Sequence, residues 1–327
     1  MNATTHATLL YLGEALGRYG FGNEHPFGPH RMAAFQSEAN RQGLLDRARI
    51  IEPVMADEQA IARFHTPAYI ERVKSLSSTG KGYLDMGDTP AFKGMFEVAC
   101  TVAGSVLDAA DRLMRGEGKR AFIPIAGLHH ARPGGAAGFC VFNDCGILIE
   151  HLKQVHGLSR IAYVDIDAHH GDGVFYAFED DPGVCITDIH EDGRFLYPGT
   201  GFPGERGTGE AAGSKLNLPL PPGAGDTEFM PAWEKAEAHI RDFSPEFIIL
   251  QCGADSIAGD PITHMRLSPA AHAHAATRLD RIAEAHCEGR LVGLGGGGYN
   301  TRNLAAAWCA VLASMLENDT PLHENGA

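Results

Sequence analysis

Five short runs in this chain are apolar at nearly every successive position: Ala121 to Ala126, Ile161 to Asp167, Val184 to Thr187, Phe247 to Gln251 and Arg290 to Leu294. A strand with one face in water alternates apolar and polar residues, whereas a strand apolar throughout has to be covered on both faces. A parallel sheet sandwiched between helices meets that need. Amphipathic stretches lie between the runs, as helical crossovers require. Phe92 to Met114 carries Met95, Phe96, Ala99, Val102, Ala103, Val106, Leu107 and Ala110 at helical spacing, and Gly116 is placed to stop it. Asp226 is expected to cap a helix that buries Phe229, Trp233 and Ile240. Ser268, with Pro269 at the first helical position, opens another that closes at Gly289, and Asn300 to Leu316 forms the last. The expected fold is therefore α/β, with three layers, a mainly parallel central sheet and helices on both faces. No linker, repeat or low-complexity tract divides the 327 residues, which predicts one domain over 1–327, its core at about 8–316 and a polar tail at 317–327.

Polar residues cluster where these runs end. His129 and His130 follow the first, Asp165-Ile166-Asp167-Ala168-His169-His170-Gly171-Asp172 closes the second, Asp255 follows the Phe247 run, and Tyr299 follows the Arg290 run. Ligands of parallel α/β sheets bind at the carboxyl edge, where loops converge on rigid strands. If the extended conformation persists, Asp165, Asp167 and His169 share one face. Crowded carboxylates repel unless a cation lies between them, and oxygen plus imidazole donors suit a borderline divalent metal such as zinc. The plainer reading is a strand with a polar surface end, but five ionisable groups within eight residues speak against it.

The net charge of −14 makes nucleic acid a poor partner, since its binding rests on Lys and Arg neutralising phosphates. Seven cysteines, an odd number with no C-x-x-C pair, do not suggest a disulfide framework, and Cys140, Cys145, Cys185 and Cys252 sit in or beside apolar segments as reduced core thiols would. With neither a leader-like start nor a run long enough for a membrane span, a cytoplasmic protein without a membrane partner is expected.

The segments His25-Pro26-Phe27-Gly28-Pro29-His30-Arg31-Met32, Gly127 to Gly134, Gly138 to Asp144, Asp165 to Gly173, Tyr197-Pro198-Gly199-Thr200-Gly201, Cys252 to Ser256 and Gly295 to Asn300 together resemble the zinc-dependent histone deacetylase family. That family includes bacterial acetoin-utilisation-type deacetylases and acetylpolyamine amidohydrolases, and this chain is similar to a bacterial member. The resemblance implies the arginase/deacetylase fold and hydrolysis of an acyl-lysine amide in a protein or peptide by metal-activated water. It implies one zinc per chain on Asp167, His169 and Asp255, with His130 as the main general base and acid and His129 as its electrostatic partner. Asp165 would orient His129, Asp172 would orient His130, and Tyr299 would donate to the developing oxyanion. Phe139 and Tyr197 would wall a tunnel for the acyl-lysine stem, Gly138 would leave room for it, and Asp88 would hold the substrate backbone at the rim. A loop-capping role for Asp88, with Asp85 close by, is an open alternative. Tyr197 stands where phenylalanine is more usual. A potassium ion is implied near Asp165, Asp167 and His169, completed by Asp188, Ile189 and His190, although serine is more usual at Asp188.

Four other readings compete. Arginase-like enzymes hold two manganese ions and would need acids at Gly171 and Ile257, which are absent. Gly293 to Gly298 satisfies G-x-G-x-x-G, yet too little chain follows it for a dinucleotide-binding βαβ unit. A non-catalytic acyl-lysine binder should have lost a ligand, the histidine pair or the tyrosine. An acetylpolyamine amidohydrolase would favour an acid at the pocket mouth, where Ile262 stands, so acylated lysine is the first expectation and a small acylated amine the second.

Overall fold

The computed structural model describes residues 7–22 and 24–317. Residues 318–327, most of the expected polar tail, lie outside the described residues. The strands are β1 (Thr8–Tyr11), β2 (Arg49–Ile51), β3 (Arg120–Ile123), β4 (Ile161–Asp165), β5 (Val184–Asp188), β6 (Lys215–Asn217), β7 (Phe247–Gln251) and β8 (Leu291–Leu294). The helices are α1 (Glu14–Gly17), α2 (His30–Arg41), α3 (Glu58–Ile61), α4 (Pro67–Thr79), α5 (Met95–Met114), α6 (Asp144–Gln154), α7 (Asp172–Ala177), α8 (Asp226–Phe243), α9 (Pro269–His286) and α10 (Thr301–Glu317).

All eight strands form one sheet in the order β2-β1-β3-β8-β7-β4-β5-β6. Every neighbouring pair is parallel. The five apolar runs became β3, β4, β5, β7 and β8, and every residue in those strands is buried, as two covered faces demand. Helices α8, α9, α10 and α2 pack on one another in one layer, and α3 to α7 in the other. All seven cysteines are free and buried. Among the described residues, no helix is long and apolar enough to cross a membrane.

Local signals were obeyed with two exceptions. Ser268 caps α9 with Pro269 at its first position, and Gly116 and Gly289 both take positive φ where α5 and α9 have ended. Asp226, however, does not cap α8. It is the first helical residue, and its carboxylate accepts from the amide and hydroxyl of Ser268, which ties the starts of α8 and α9 together. Nor does β4 continue through His169, for it ends at Asp165. Beyond it the Asp167 amide donates to Asp165 Oδ1 at 3.1 Å and the His169 amide to Asp167 Oδ1 at 2.9 Å. Two successive aspartate turns, rather than strand alternation, bring these side chains together.

The order of the strands positions the site. The four whose ends carry the polar clusters, β3, β8, β7 and β4, are adjacent at the centre of the sheet. Segments separated by more than a hundred residues therefore open onto one place.

Candidate active site

His129 and His130 leave β3 on a loop that the start of α6 holds from behind. The buried Asp144 carboxylate accepts from the amides of Gly127 and Leu128 at 2.8 and 3.0 Å. Asn143 caps α6 with its side-chain oxygen while its amide nitrogen donates to the carbonyls of His129 and Ala131. Each imidazole is then fixed at Nδ1, His129 to Asp165 Oδ2 at 2.8 Å and His130 to Asp172 Oδ1 at 2.7 Å, and their Nε2 atoms lie 3.1 Å apart. Tyr163 donates to the same oxygen of Asp165. Arg132 donates to the other oxygen of Asp172.

This arrangement gives adjacent histidines opposite character. Burial disfavours the imidazolium of His129, but Asp165 and Asp167 outweigh it and lift the ring to about 10. Burial and the neighbouring His129 charge push His130 down to about 4, despite Asp172. His130 is therefore the neutral ring of the pair, its Nδ1–H donating to Asp172 and its Nε2 lone pair facing the Nε2–H of His129.

Asp167, His169 and Asp255 come together beside the pair. His169 Nδ1 lies 3.1 Å from Asp167 Oδ1 and 3.2 Å from Asp255 Oδ2, and all three side chains are buried. A tetrahedral zinc with bonds of about 2.0–2.1 Å separates its ligand atoms by roughly 3.3 Å, so the donor set and its spacing fit that ion. The electrostatics point the same way, because burial and the Asp167 charge raise Asp255 to about 7, a strain that a shared cation removes. The remaining carboxylate oxygens are tied down. Asp167 Oδ2 accepts from Gln251 Nε2 at 2.9 Å and the Gly297 amide at 3.0 Å, and Asp255 Oδ1 accepts from the Ala168 amide at 2.9 Å. Glycine is obligatory at two of these contacts, since a Cβ on Gly253 would lie 1.9 Å from Asp167 Oδ2 and one on Gly297 2.0 Å from Asp255 Oδ2.

Tyr299 ends the glycine run after β8. Its amide donates to Asp260 Oδ2 at 2.8 Å. Buried Arg31, on α2, donates to the carbonyls of Gly296 and Gly298 and so pins the run from beneath. Burial, together with the Asp255 and Asp167 charges, raises the Tyr299 phenol well above its usual range, which keeps its proton in place to be donated.

His130, His169 and Tyr299 face a cavity of about 240 Å³ whose other lining residues are Asp88, Gly138, Phe139, Leu196, Tyr197 and Ile262. All five residues nominated for substrate are among them. Asp85 is the loop cap: one of its oxygens accepts from the amides of Gly87, Asp88 and Thr89. Asp88 is exposed on the cavity rim. Gly138 and Phe139 both have positive φ, and a Cβ on Gly138 would lie 2.4 Å from His130 Cδ2. The first body that this glycine makes room for is thus the His130 ring. The residues nominated for potassium meet where β4 and β5 end, but Asp188 is engaged by His190 Nδ1 and the Gly171 amide, and Asp165 by His129, Tyr163 and the Asp167 amide. Their carboxylates are already held, so main-chain carbonyls would have to carry such an ion.

Asn143, Asp144, Gln251, Asp260, Arg31 and Leu196 had no role from sequence reasoning. Gln251 left a signal, a polar residue closing an otherwise apolar buried run.

Residues 25–315 match the family model described as the histone deacetylase domain. The chain belongs to the histone deacetylase family. It is 36% identical over 316 residues to the acetoin utilization protein AcuC of Bacillus subtilis, covering 94% of this chain and 81% of that one. It is 37% identical over 280 residues to a probable deacetylase of Archaeoglobus fulgidus, covering 84% and 77%. Among solved structures, the crystal structure of the HDA15 HD domain superposes with a TM-score of 0.86 at 27% identity, covering 95% of this chain and 89% of that one. Membership supports a hydrolytic deacetylase, and the fold is the arginase/deacetylase type.

Proposed function

We propose that this histone deacetylase family member removes acetyl or other acyl groups from lysine side chains of proteins or peptides, with one zinc held by Asp167, His169 and Asp255. One observation carries the reading: His130, His169 and Tyr299 line a single cavity that opens past Phe139, Tyr197 and Ile262 to a rim bearing Asp88. When bound, zinc supplies a Lewis acid for the amide carbonyl and lowers the pKa of water at the site.

The chain does the rest. With its Nδ1–H donating to the Asp172 carboxylate, His130 presents Nε2 as the acceptor for the proton of the attacking water. It then returns that proton to the leaving lysine nitrogen. His129 remains the charged partner, held by Asp165, and Tyr299 donates its hydroxyl to the oxygen on which negative charge develops. Phe139 and Tyr197 wall the stem of the substrate, and the exposed Asp88 accepts from its backbone. Potassium, as the family resemblance implies, would rest on carbonyls near Asp165, Asp167, His169, Asp188 and Ile189. The apolar Ile262 at the mouth favours an uncharged stem over a distant ammonium.

The test is a hydrolysis panel of zinc-loaded protein on acetyl-lysine peptides, longer acyl-lysines and acetylated polyamines, with Tyr299→Phe as control. Peptide turnover that collapses in the control is expected. A wide margin for polyamines overturns the substrate assignment, and no turnover of any acylated amine makes the chain a binder.

A further inference from the structure

At the opposite, amino-terminal edge of the sheet, where α5 and α6 end before β3 and β4 begin, a second set of metal-binding side chains converges. Asp111 lies in the last turn of α5, His151 in the last turn of α6, and His156 just beyond it. Both Nε2 atoms lie 2.7 Å from the same oxygen, Asp111 Oδ1. We propose that Asp111, His151 and His156 form a second site for a borderline divalent cation such as zinc, which clasps the end of α5 to the segment after α6.

Four observations support it. Two imidazoles and one carboxylate are the donor set that such ions prefer, and a partly exposed cluster leaves open positions for water. The carboxyl ends of α5 and α6 both lie at this corner, and their helix dipoles add partial negative charge to that of Asp111. Nearby cations are engaged elsewhere, Arg112 with Asp108 and Glu117, Arg115 with Glu117, and Lys153 with Asp181. Finally, His151 is buried with only 7% of its side chain exposed, and its Nδ1 has no hydrogen-bond partner. The proton that Nε2 now directs at Asp111 can therefore move to the unpartnered Nδ1, which turns the Nε2 lone pair towards an arriving ion.

The spacing differs from that at the catalytic cluster. Contacts of 2.7 Å are hydrogen-bond distances, and a shared zinc would need the donors to separate to roughly 3.3 Å. Asp111 and His156 have room to move, with 33% and 19% of their side chains exposed. Both lie at helix ends.

The experiment uses the intact protein saturated with zinc, freed of loosely held metal, and assayed for metal content by mass spectrometry. Two zinc ions per chain are expected in the wild type and one in both His156→Ala and Asp111→Asn, with peptide hydrolysis retained in all three. Added zinc should also raise the melting temperature of the metal-saturated wild type less than that of protein first depleted of its weaker ion, and this step should be lost in His156→Ala. One ion per chain in the saturated wild type overturns the proposal, leaving a hydrogen-bonded trio. So does a second ion that both substitutions leave in place, which would locate it at the catalytic cluster instead.

Discussion

The floor of the cavity and its rim are built by different physics. On the floor, His129, His130, Asp165, Asp167, His169, Asp172 and Asp255 are all buried, and each is gripped by a second polar group. On the rim, Asp88 and Tyr197 are exposed, Ile262 is partly so, and the loops that carry them run over the surface. Buried charge without partners is costly, so floor residues survive only in one mutually satisfied arrangement. The rim has no such constraint and is free to set preference. Chemistry should therefore respond steeply to floor substitutions, and substrate choice mildly to rim substitutions.

The steepest test is His130→Ala, for which kcat/KM should fall about 10²–10⁴-fold with the fold intact by circular dichroism. A loss below tenfold would move the proton-transfer role elsewhere. Tyr299→Phe removes only a hydroxyl and should lower kcat about 10²–10³-fold while KM changes little. Next comes a pH effect on stability. Burial lowers His65 from 6.5 to about 4, and its Nε2 accepts from the amide of Asn143, the residue that braces the histidine loop. Its folded pKa lies below its unfolded one, so the contribution is complete above pH 6.5 and is lost as pH falls towards 4. The total is about 3 kcal/mol, and denaturant titrations across that window should show His65→Phe flattening the slope. Gln251→Ala should weaken zinc about 10–100-fold in a chelator competition, because it removes one of the two donors that hold Asp167 Oδ2. The smallest effect belongs to the rim. Ile262→Glu should shift preference towards acetylated polyamines by about fivefold, the worth of one exposed ion pair, and a shift as large as those on the floor would erase the contrast.

The same contrast explains what could be read from the sequence. Asp167, His169 and Asp255, which the structure brings together as a group able to hold a metal, were legible because such a group puts rare residue types at apolar strand ends, and the five buried runs were legible because two covered faces leave no polar positions. Strands β1, β2 and β6 were missed. The last two have three residues each, Arg49-Ile50-Ile51 and Lys215-Leu216-Asn217, and edge strands this short carry no periodicity. Asp144, Asp260 and Arg31 escaped because they act on the main chain of residues far from them in sequence, and a backbone partner leaves no mark in residue type. At Asp226, a good helix-capping residue was claimed by Ser268, a contact between two helices that local pattern cannot show.

The bonds from Arg31 to the carbonyls of Gly296 and Gly298 join residues 265 and 267 positions apart in sequence. Everything between Arg31 and Gly298 must be synthesised before that latch can close, and such distant pairings form slowly. Chains cut short before Gly296 should accordingly lack the brace that holds the glycine run carrying Tyr299.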